Sequence, residues 1–76
     1  MSYSFTMQVS GIDTAGSYED RLYDAGCNDA LVAVLSGTLY LDFDREASSF
    51  DAAVQSAKQD IERAGGYVVE VMTPPG

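Results

Sequence analysis

Residues 30–44 read ALVAVLSGTLYLDFD, two β-prone runs on either side of Ser36-Gly37, the pattern of an antiparallel hairpin closed by a two-residue turn. That turn sets Leu35 opposite Thr38, Val34 opposite Leu39, Val32 opposite Leu41 and Ala30 opposite Phe43. Opposed residues share a face. Ala30, Val32, Val34, Leu39, Leu41 and Phe43 therefore form one apolar face, and Leu31, Ala33, Leu35, Tyr40 and Asp42 form the other. Turn and alternation agree, which fixes the register.

On the N-terminal side, Tyr3, Phe5, Met7 and Val9 alternate with Ser4, Thr6, Gln8 and Ser10, as in a strand with one dry and one wet face. Gly11 ends it. Asp13, Thr14 or Ser17 can cap a first helix, and Glu19 and Asp20 suit the positive end of its dipole. Its stripe is Ala15, Tyr18, Leu22 and Ala25. Gly26 takes the left-handed position after the helix, which places Cys27 where a Schellman motif brings an apolar contact back onto Leu22.

On the C-terminal side, Ser48 with Asp51 three residues on resembles a capping box and opens a second helix. Phe50, Ala53, Val54, Ala57, Ile61 and Ala64 form its stripe. Asp51, Gln55, Lys58, Gln59 and Glu62 face away, and Gly65-Gly66 ends the helix. A last strand, Tyr67 to Met72, then places Tyr67, Val69 and Val71 inward and Val68, Glu70 and Met72 outward. The order β-α-β-β-α-β predicts an α+β, ferredoxin-like sandwich with an antiparallel sheet in the order 4-1-3-2 and two helices on one face. A single domain is expected over residues 1–73, with a C-terminal tail at 74–76.

The 76 residues carry 12 acidic and 4 basic side chains, a formal charge of -8, so nucleic-acid phosphate and anionic bilayers are repelled and a basic or neutral partner is favoured. Tyr40 stands where an RNA-binding sheet would stack a base, but the cations for phosphate are missing. Without histidine there is no Ser-His-Asp or Cys-His set and no ordinary zinc site. No Gly-rich phosphate loop is present, and SGIDTAGS after strand one lacks the arginine that acylphosphatase chemistry would require. A non-enzyme without cofactor is expected.

Asp42, Asp44 and Glu46 alternate along the third strand and could hold a divalent cation through oxygen. Arg45 among them reads as a counter-charge and no calcium-type loop is present, so no metal is expected. Asn28 and Asp29 shape the turn into the second strand. Cys27 follows a helix end, where the dipole raises a thiol pKa, and it reads as packed and inert. The N-terminus is too polar for a signal-peptide core, and no apolar run approaches the roughly 20 residues of a membrane span. A cytoplasmic location is expected.

Leu31, Ala33 and Leu35 lie outward on an edge strand, joined on the same face by Tyr40, Val68 and Met72. An apolar open edge invites another chain, so these six residues are the candidate interaction surface, for a weak homodimer or another protein. The alternative is a small ligand held where two such sheets meet.

Residues 25–30 (AGCNDA), 40–47 (YLDFDREA) and 56–65 (SAKQDIERAG) resemble a small, mostly uncharacterised bacterial family. In its longer members a domain like this is followed by a helix-turn-helix segment. The resemblance implies an antitoxin-like or regulator-like role, and it brings no functional residues with it.

Overall fold

The computed structural model describes residues 1–13 and 15–73. The candidate cap Thr14 and the tail at 74–76 lie outside the described residues. Six elements follow in order: β1 (Ser2–Ser10), α1 (Tyr18–Asp24), β2 (Ala30–Leu35), β3 (Thr38–Glu46), α2 (Phe50–Arg63) and β4 (Tyr67–Met72). They build one antiparallel sheet in which the neighbours run β2-β3-β1-β4, which is 4-1-3-2 counted from the other edge.

The hairpin turn has φ of 53° at Ser36 and 77° at Gly37, the left-handed pair that matches the twist of the flanking strands. Leu35 pairs with Thr38 and Ala30 with Phe43. Phe5, Met7 and Val9 of β1 meet Leu39, Leu41 and Phe43 of β3 on the inward face, where the Phe5 and Phe43 rings stack at 5.3 Å. Leu22 of α1 and Ala53, Ala57 and Ile61 of α2 enter the same buried cluster, so both helices cover that one face. The small α2 residues let the helix sit close to the sheet.

Both helices end in a Schellman motif. Gly26 N–H donates to the Tyr23 carbonyl at 3.1 Å and Cys27 N–H to that of Leu22 at 3.0 Å; Gly65 and Gly66 donate to Glu62 and Ile61 in the same way, each at 3.0 Å. Gly26 has φ of +113°, and an added Cβ there would stand 2.8 Å from Asp60 Oδ2. Glycine is thus needed at this position for space as well as for conformation.

Three local expectations are corrected. Ala15 lies outside α1 and is exposed, because the Asp13 carboxylate accepts from the Ala15 amide at 2.9 Å and the helix begins only at Tyr18. The α2 cap is Ser49, whose Oγ accepts from the Ala52 amide at 3.1 Å, and Ser48 stands one residue before it. In β4 the register slips by one residue opposite Gln8 and Val9: Glu70 faces Gln8, whereas Val68 faces Val9. This bulge turns Val68 inward against the core and leaves Tyr67 and Val69 exposed, reversing the expected phase of the strand's first half.

Candidate functional site

The short α1 leaves β2 poorly covered. Leu31 is 76% exposed and Leu35 63%, and even inward Val34 remains 38% exposed. On the helix-free face, Leu31, Ala33 and Leu35 of β2 join Tyr40 of β3 and Met72 of β4 around an open depression of about 860 Å³. Ser4 and Thr6 of the central strand lie on its floor. Five of the six expected interaction residues are thus gathered on one face. The sixth, Val68, is excluded by the β4 bulge, which places it opposite Val9 on the helix side.

The rim of the depression is acidic. Asp29, Asp42 and Asp44 line it, with Ser4 opposite Asp44 and Thr6 opposite Asp42 across the β1–β3 ladder. Thr6 Oγ1 donates to Asp42 at 3.4 Å, and Ser2 Oγ donates to Glu46 at 3.3 Å. Among the described residues no group of three acidic, cysteine or histidine side chains converges as a metal site.

Arg45 does not stand among these carboxylates. Strand alternation carries it to the opposite face in phase with Leu41 and Phe43, where it is 8% exposed. Its Nε and one terminal nitrogen meet the two oxygens of Asp29 at 2.7 and 2.9 Å. That same nitrogen donates to the Gly26 carbonyl at 2.9 Å, and the other donates to Asp60 at 2.9 Å and Ser56 Oγ at 3.1 Å. All five guanidinium donors are used, so none is free for a ligand. The group ties the end of α1, the β2 approach, β3 and α2 together, and hydrogen bonding to Asp29 raises its pKa further above the ordinary arginine range. The expected turn-forming role of Asp29 therefore understates it: its carboxylate is half of this clamp. A sharper reading of the β3 alternation signals this inward arginine.

Cys27 is buried behind Leu22, and burial pushes its thiol up to about 11, with the nearby Asp60 adding in the same direction. The thiol is therefore neutral and shielded at physiological pH. Among the described residues no helix is long and apolar enough to cross a membrane.

Comparison with family models, with curated proteins and with solved structures finds no match.

Proposed function

We propose that this protein is a non-catalytic interaction module of ferredoxin-like type, which engages another polypeptide through β2 and the helix-free face of its sheet. The observation that carries the reading is the exposure of Leu31 and Leu35 on an uncovered edge strand, continuous with the depression beside Tyr40 and Met72. Monomeric surfaces do expose single apolar side chains, but a contiguous set on an open strand edge recruits partners. The donors of the polar cluster around Arg45 are all engaged within the chain, which supports a structural role there. The regulator-like role implied by the family resemblance rests on that resemblance alone.

The depression itself supports a second reading, a small ligand resting on Ser4 and Thr6 and enclosed when a second sheet covers it. A photo-reactive residue placed at Leu35 and, separately, at Glu62 on the exposed side of α2 tests the first. Adducts to a polypeptide from position 35 and none from position 62 are expected. Equal labelling, or none from either, removes the interaction reading.

A further inference from the structure

Resting on that reading of the face, we propose that β2 accepts an extended segment of another protein as an added strand, and that this segment alternates lysine or arginine with apolar residues.

The two sheet edges differ. β4 is interrupted by the bulge and carries Glu70, both of which deter strand pairing. β2 pairs with β3 through six consecutive residues without a break, and its sequence ALVAVL contains no charge, proline or glycine. The two-residue turn makes Leu35–Thr38 a hydrogen-bonded pair, so Ala30, Val32 and Val34 direct their N–H and C=O groups to the open side. An extended backbone is the ligand that such a row of groups fits.

Both faces of an added strand would find a surface. On the helix side, a crevice of about 410 Å³ lies between α1 and β2, lined by Leu22, Tyr23, Ala30 and Val32 together with Glu19, Asp20 and Asn28, a mixed surface on which an apolar side chain can rest against Leu22 and Val32. On the other side, a long cationic side chain can lay its stem over Leu31 and reach the carboxylate of Asp42.

Charge selects this occupant over a second copy. Arg45 is paired on the helix side, Arg21 belongs to α1, and Lys58 and Arg63 belong to α2, so no lysine or arginine side chain projects from the helix-free face. Two copies pairing edge to edge at β2 would set their acidic Asp42 and Asp44 rims on one continuous face, each chain carrying -8 and neither offering the other a cation there. A cationic strand meets the same rim with attraction.

The test is a titration of the isotope-labelled full chain with a short blocked peptide alternating lysine and valine, followed by backbone amide shifts. Saturable shifts at Val32 and Val34 and around the depression are expected. Affinity should fall about tenfold or more when the peptide's edge amides are N-methylated, when glutamate replaces lysine, or when the protein carries Asp42→Asn with Asp44→Asn. Both aspartates are exposed, so the fold of that variant is retained. Shifts confined to α2 and β4, or affinity indifferent to N-methylation or to charge, overturn the proposal. Concentration-dependent shifts at β2 without any response to the peptide overturn the cationic partner while preserving the interaction surface. Silence at β2 under both conditions overturns the two together.

Discussion

Arg45 and Asp29 form a two-point pair, with nitrogen–oxygen distances of 2.7 and 2.9 Å, beneath the sheet and not on its solvent face. The planar fork of arginine matches a carboxylate in a way that lysine cannot. Arg45→Ala would leave Asp29, Asp60 and the Gly26 carbonyl without their donor. A loss of about 3 kcal/mol is expected, with Arg45→Lys recovering less than half of it, as read from urea midpoints. A loss under about 1 kcal/mol in the alanine variant would mean that the clamp contributes little.

Gly26 and Gly65 hold the same position at the ends of α1 and α2, with φ of +113° and +96°. Their surroundings differ: a Cβ at Gly26 meets the Asp60 carboxylate, and one at Gly65 meets nothing within 4 Å. Both alanine substitutions carry the left-handed penalty of about 1 kcal/mol, and Gly26→Ala should cost at least about 1 kcal/mol more because it pushes Asp60 off Arg45. Equal melting temperatures for the two variants would contradict this.

The β4 bulge predicts unequal consequences for adjacent valines. Val68 packs against the core and Val69 is exposed, so Val68→Ala should cost about 1 to 2 kcal/mol and Val69→Ala under about 0.5. Chemical denaturation of the two variants distinguishes this register from uninterrupted alternation, which expects the reverse.

Cys27 adds a pH dependence at the alkaline end. Its thiol ionises near 9.0 when unperturbed and near 11 in the fold. Between those values the unfolded chain has lost a proton that the folded chain keeps, so this stabilisation is full below about pH 9 and is lost as pH rises through the folded value. A loss of roughly 2 kcal/mol is expected across that window, measured as the difference between the parent and Cys27→Ala. Parallel pH profiles for the two proteins would show that the thiol is not held neutral by the fold.

The hairpin was legible to the residue pair because a two-residue turn and period-2 alternation constrain the same register. The end of α1 was legible for a similar reason, since Gly26 and Leu22 stand at the spacing that a Schellman motif requires. Arg45 was missed although its position declares it: a strand that buries Leu39, Leu41 and Phe43 also turns residue 45 inward, and its partners Asp29 and Asp60 lie far away in sequence. The bulge left no such mark. YVVEVM carries no glycine to signal an extra residue, and the slip follows from fitting Val68 and Val71 to Val9 and Met7 across the ladder. Adjacent serines at 48 and 49 offered two caps one residue apart, and the apparent box with Asp51 favoured the wrong one.

The central position of β1 also orders the assembly of the chain. Residues 2–10 are made before either of their partners, so one side of β1 waits for β3 at Thr38–Glu46 and the other stays bare until β4 at Tyr67–Met72 has been made. The β2–β3 hairpin closes locally in microseconds, while the pairings of β1 bridge much longer loops and come later. Ser4, Thr6, Gln8 and Ser10, which add little to the finished core, give the waiting strand one hydrophilic side.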